Sequence, residues 1–350
     1  MAATALLAIA LLHTASASLS IRARYRGADF LEHFDFFSAD DPTHGWVDYL
    51  DRGDAMAAGL VDVADDGTFF MGAGRPKTAA ARLPSVRIEG RHSIAGGLAV
   101  LDIEAVPVGC GAWPAFWMCN QTDPATAGTP AAWPAGGEID VLEGVHLSRV
   151  SATTLHAGPG CTRKFKSAYA APPYAGNETW NGDCNAGTGC GIVGADGGMG
   201  AGFNDLGGGV YATEFSPRGA AQAIKVWFFP RGDPELPDFS RDEIDTADWR
   251  LPVAHFSLAD DTGCGDAFKN QKIIFNLAFC GDWAGNVWGA STCADRAATC
   301  EAFLESQFDN DDYFAHLHFA VNEVSIFQTD AQFRDSRYAP PRPANASHAP

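Results

Sequence analysis

Along most of this chain, apolar and polar residues alternate in short runs. "SVRIEG", "LAVLDIEAVP", "AWPAFWM", "EIDVLEGV", "SATTLHA", "GVYATEFS", "IKVWFFPRG", "KIIFNLAF" and "HFAVNEVSIFQ" combine β-branched or aromatic residues with a period near two, and "GLVDVADDGTFFMG" does so on both sides of a turn. Gly and Pro punctuate these ten segments, whose irregular spacing predicts an all-β sandwich or barrel. A helical pattern is confined to "CEAFLESQF", Cys300 to Phe308. The Gly-rich stretch from Asn181 to Gly209 lacks the Lys-Ser/Thr pair and the strand-to-helix setting of a phosphate-binding loop. It reads instead as a long loop that Cys184 and Cys190 are placed to staple. The closing "RYAPPRPANASHAP" predicts an extended, unpacked tail. There is no internal repeat.

Composition narrows the picture. With 350 residues, 46% hydrophobic and 19% charged, the chain can bury a large core, and length alone permits one domain or two. A net charge of -19 and a pI near 4.7 repel polyanions, so nucleic acid and anionic membrane are poor partners and neutral polymers better ones. At the N-terminus an apolar run from Ala5 to Leu12 precedes Ala15-Ser16-Ala17. This predicts a signal peptide at residues 1–17, cut after Ala17, and a secreted, extracellular protein. The run is too short to span a bilayer. Nine cysteines without a C-x-x-C suit an oxidising compartment, with one left over if the others pair. Sequons at Asn120, Asn177 and Asn345 agree with secretion.

The candidate chemistry lies in "GGEIDVLEGV", where Glu138, Asp140 and Glu143 fall within six positions. On a regular strand Glu138 and Asp140 share a face and Glu143 points away. One β-bulge between Asp140 and Glu143 returns Glu143 to that face. The glutamate Cα atoms then lie about 13 Å apart at roughly 3.3 Å per residue. Side chains leaning together bring the carboxyls within about 5 to 6 Å, the separation of a retaining glycosidase rather than the wider gap of an inverting one. Glu138 would be the nucleophile, Glu143 the acid/base, and Asp140 the carboxylate that hydrogen-bonds a glutamate and helps hold a proton on the acid. Two other readings compete: an acidic solvated strand, and a calcium loop. The apolar residues between the acids argue against the first. The absence of a turn Gly before Gly144 argues against the second. No metal or cofactor is expected.

The sequence resembles glycoside hydrolase family 16, closest to fungal laminarinase-like endo-1,3(4)-β-glucanases. The E-x-D-x-x-E motif carries the resemblance, with "HGWVDYLDR" (His44 to Arg52), "WPAFW" (Trp113 to Trp117), "TLHAGPGC" (Thr154 to Cys161), "VWFFPRG" (Val226 to Gly232) and "FNLAFCGDWAGN" (Phe275 to Asn286), and it runs from about Phe30 to Phe327. It implies a β-jelly-roll sandwich of two curved antiparallel sheets with a concave substrate cleft, a catalytic domain over residues 18–335, and a Pro-rich tail over 336–350. It also implies the same roles for the three acids, and places His156 on the neighbouring strand near them.

In "WPAFW", Trp113, Ala115 and Trp117 share one face and Pro114 and Phe116 the other, so one aromatic face is core and the other is free to stack on glucose. The resemblance puts Trp113 and Trp117 by the cleft and Trp283 near it. Trp133 rests on position alone, and Trp227 is core or cleft wall. Cys119 is expected to lie clear of the acids, and the insert "TDPATAGTPAAWPA" bears on the cleft edge. The expected activity is endo-hydrolysis of β-1,3 or mixed β-1,3/1,4 glucan by a monomer, its partner a β-glucan polysaccharide or oligosaccharide. The alternatives are a transglycosylase of the same family and a catalytically silent β-glucan-binding protein.

Overall fold

The computed structural model describes residues 18–120, 133–162, 182–185, 187–194, 196–217, 222–258, 262–264 and 267–342, and the backbone of 177 and 178. The expected signal peptide, most of the insert after Asn120, the Asn345 sequon and the Asn177 side chain lie outside the described residues.

The ten alternating segments all form strands, in two open antiparallel sheets. The first sheet runs, in spatial order, through residues 177–178, Cys190–Val193, Ala152–His156, Glu138–Glu143, Ala112–Cys119, Lys272–Phe279, Arg87–Gly90 and Phe34–Phe36. The second runs through Glu243–Ile244, Leu19–Tyr25, His318–Gln328, Gly97–Ala105, Gly209–Ser216, Ala223–Pro230 and Ala254–Ser257, with the hairpin Val61–Val63/Phe69–Gly72 paired beside His318–Gln328. A helix at Cys300–Ser306 begins where the sequence pattern placed it, capped by the Thr299 hydroxyl, which accepts from the Ala302 N–H.

Alternation along the strands sends one set of side chains from each sheet into a shared core. Phe116, Ile139, Leu155, Phe275 and Leu277 come from the first sheet, and Leu101, Tyr211, Val226, Phe319 and Val324 from the second. Phe275 links the layers, its ring 4.8 Å from Phe116 and 5.9 Å from Phe319. Each fully buried phenylalanine of this kind contributes about 2 to 3 kcal/mol. The other face of the second sheet has its own apolar cluster of Val100, Ala212, Trp227 and Phe229, covered by Leu236, Phe239 and Trp249. Trp227 is therefore core on that remote face and not cleft wall.

Two expectations need correction. The stretch from Asn181 to Gly209 is not all loop: Cys190–Val193 pairs with Ala152–His156 and extends the first sheet, and the predicted staple Cys184–Cys190 closes the turn before it. The Pro-rich tail is not unpacked as far as Arg342. Arg337 exchanges backbone hydrogen bonds with Ser93 in both directions, and the Arg342 N–H donates to the Glu32 carbonyl. Proline withholds a donor, but the carbonyls of Ala339 and Pro340 still accept from His92 and Arg91.

Three further disulfides, Cys110–Cys293, Cys161–Cys264 and Cys280–Cys300, join loops at the sheet ends, and Cys119 is the unpaired cysteine.

Candidate active site

The acid-bearing strand contains the bulge. From Glu138 to Glu143 it takes five residue steps, while each neighbour covers the same span in four, from His156 to Ala152 and from Cys119 to Ala115. The register shift falls after Asp140 on both sides. Ile139, Val141 and Leu142 enter the core, so the chain keeps its apolar anchorage through the irregularity and turns Glu143 back toward the acids.

Each carboxyl is held by specific neighbours. Glu143 Oε1 accepts from the Trp113 indole N–H at 2.7 Å, and Glu138 Oε2 accepts from the Trp133 indole N–H at 2.9 Å. His156, paired with Glu138 across the strands, places Nε2 3.4 Å from Asp140 Oδ2 and 3.8 Å from Glu138 Oε1. The donor atoms of Glu138, Asp140 and His156 thus lie within 4.8 Å of one another, a spacing that suits a shared proton or a cation. Trp283 packs its ring edge-to-face with Trp113, 5.8 Å between centroids, and so stands on the Glu143 side of the site.

Burial dominates the electrostatics. It pushes the Glu138 carboxyl up to about 7, aided by the Asp140 charge and opposed by His156, the Trp133 hydrogen bond and Arg87. Burial also raises Asp140. Glu143 is held well above the ordinary carboxyl range by burial first and the Asp140 charge second, against the Trp113 hydrogen bond and His156. Three acids confined together retain protons at pH values where a free carboxyl has lost its own, as acid/base catalysis near neutrality requires.

The structure brings together all seven residues singled out from the sequence, Trp117 included, which pairs with Asp140 across the strands. It also adds two. Trp133 is 57% exposed yet anchored to Glu138, with its ring 5.6 Å from that of His156. Its only sequence signal is its place five residues before Glu138. Cys119 does touch the acids, contrary to expectation: it pairs with Glu138, and burial, then the Glu138 and Asp140 charges, push its thiol well up. Its position on the same face as Trp113 and Trp117, at the next even offset, was the signal for that contact.

A family model described as XgeA-like, catalytic GH16 domain matches residues 34–327. The chain belongs to glycoside hydrolase family 16. It is 34% identical over 311 residues to a probable endo-1,3(4)-β-glucanase of Aspergillus fumigatus, a match covering 87% of this chain and 44% of that relative. The chain thus spans less than half the length of that curated relative. Among solved structures, family 16 Laminarinase 16A from Phanerochaete chrysosporium, with β-glucans in its donor and acceptor sites, is similar with a TM-score of 0.76 and 32% identity. That match covers 89% of this chain and all, 100%, of the other. An elongating family 16 β-1,3-glucosyltransferase is similar with a TM-score of 0.75 and 32% identity, over 88% of this chain and 99% of that one. The jelly-roll sandwich implied by the family 16 motifs is the fold found.

Proposed function

We propose that this chain is a secreted retaining endo-β-glucanase acting on β-1,3 or mixed β-1,3/1,4 glucan. The observation that carries the reading is the bulge, which sets Glu138 and Glu143 on one face with Asp140 between them. Glu138, as carboxylate, attacks the anomeric carbon while Glu143 gives its proton to the glycosidic oxygen. The C–O bond breaks and a glycosyl ester forms on Glu138. Glu143, now a carboxylate, takes a proton from water, whose oxygen displaces Glu138. Asp140 lies beside both glutamates, where its charge when ionised favours a proton on the acid, and His156 supplies a hydrogen-bonding counterpart. Trp113, Trp117 and Trp283 offer apolar faces for glucose rings. The disulfides and the acidic surface accord with an extracellular enzyme on a neutral polymer.

The test is product analysis on laminarin, lichenan and carboxymethylcellulose in parallel. Oligosaccharide release from the first two is expected, and Glu138→Ser or Glu143→Ser should lower kcat by at least about a thousandfold. No release by the parent protein, with Glu138→Ser indistinguishable from it, overturns the reading. The glucosyltransferase neighbour favours transglycosylation as a second outcome, in which a sugar hydroxyl replaces water and products longer than the substrate appear. A purely binding role has no chemical use for two glutamates brought to one face by a bulge.

A further inference from the structure

On the site face of the first sheet, Asn276 stands at the centre of a polar network that the reaction itself does not use. It pairs with Ala115 on one neighbouring strand and with Arg87 on the other. Its Oδ1 accepts from the Trp117 indole N–H at 2.8 Å, and its Nδ2 lies 3.2 Å from the Tyr49 hydroxyl. Indole N–H can only donate, so this contact fixes which way the Asn276 amide points and makes the Tyr49 oxygen the acceptor of Nδ2–H. Tyr49 is only 3% exposed and cannot swing away. Above this network the Arg87 guanidinium lies between two rings, 4.4 Å from the Phe37 centroid and 5.1 Å from that of Trp117, and is paired with Glu89 at 2.8 Å. The edge of Trp117 and one of its faces are thus both occupied.

We propose that Asn276 is a positioning residue that fixes the orientation of Trp117 and leaves its second face free for a glucosyl ring beside the one being cleaved. Strands lie about 4.8 Å apart, so an indole drawn from its own strand toward Asn276 sits about one sugar residue from the acid-bearing strand. Without an acceptor at 276 the N–H loses its partner in a half-buried site and the ring is free to rotate, at a cost in binding that precedes bond cleavage. A strand reading as "KIIFNLAF" has no packing reason for an amide at this position. Cleft geometry supplies one.

The inference rests on the glucan reading, and laminarin turnover by the parent protein is measured first: its absence defeats that reading and leaves the network untouched. Asn276→Leu preserves volume and removes both polar atoms. It is expected to raise KM for laminarin about tenfold while kcat changes less than about threefold. Asn276→Asp, whose carboxylate accepts from both the indole N–H and the Tyr49 O–H, is expected to return KM to within about threefold of the parent. In a Trp117→Phe background, Asn276→Leu is expected to add no further loss. An unchanged KM in Asn276→Leu overturns the proposal. So does a loss in the double variant equal to the product of the two single losses, and so does failure of Asn276→Asp to rescue while it melts like the parent.

Discussion

At the scale of single residues, Asp140 is the group whose charge reaches both glutamates. It raises Glu138 and Glu143 alike, after burial, which acts on each separately. Asp140→Asn removes a like charge without removing volume, so both glutamates should then lose protons more easily. The acid limb of kcat/KM against pH follows ionisation of the nucleophile, and the alkaline limb follows loss of the proton from the acid. Both limbs are therefore expected to move to lower pH in Asp140→Asn, as macroscopic values of a coupled set. A profile that loses height but keeps its limbs would show that Asp140 acts only through hydrogen bonding. The placement of these acids on one face was legible because spacing and strand geometry speak directly to one another. The contacts of Trp133 and Cys119 were legible only in part: position put Trp133 just upstream of Glu138 and alternation put Cys119 on the shared face, but the loop and cross-strand approaches that complete these contacts are not encoded in linear spacing.

At the scale of the element, the strand Glu138–Glu143 resolves the conflict between its two periodicities by spending one residue. Val141 is fully buried in the core and marks the extra step. Deleting Val141 leaves Glu-Ile-Asp-Leu-Glu, a five-residue strand that matches its neighbours step for step, so strict alternation still holds both glutamates on the site face without a bulge. A clear drop in Tm is expected from the lost core side chain, with activity retained within about a hundredfold of the parent. Val141→Ala keeps the register and leaves only a small cavity. It should cost about 2 kcal/mol of stability and hold kcat/KM within about tenfold. A loss of more than about a thousandfold confined to the deletion would mean that the bulge itself, and not only a shared face, sets the acids. Strands with strong alternation were readable in this way across the chain, whereas Cys190–Val193 was hidden among glycines. Its β character comes from pairing with Ala152–His156, a tertiary effect that local composition does not carry.

At the scale of the whole molecule, the chain's own C-terminal segment packs near the sheet edge farthest from the bulge, against residues 91–93 and Glu32 at the strand ends. The site lies three strands in from Arg87–Gly90, while residues 337–342 cross the region just beyond that strand. There the Tyr338 ring packs 4.3 Å from the His92 ring and its hydroxyl donates to Gln328 Oε1 at 2.8 Å. His92 Nε2–H donates to the Ala339 carbonyl, which leaves Nδ1 to accept from the Tyr25 hydroxyl, so one imidazole links the first strand of the second sheet to the tail. Arg342 pairs with Asp35 at 3.1 Å. Much of this contact is polar and partly exposed, and its net worth is correspondingly modest. Ending the chain at Ser336 is expected to lower Tm by about 3 °C, the shift that about 2 kcal/mol produces in a domain of this size, with kcat/KM on laminarin unchanged within about twofold. Differential scanning calorimetry and laminarin kinetics on the same preparation separate the alternatives. Lost activity at an unchanged Tm would mean that the segment acts on the cleft, whereas the expected pair of results assigns it to holding the two sheets in register at an edge that sequence alone presents as a bare proline tail.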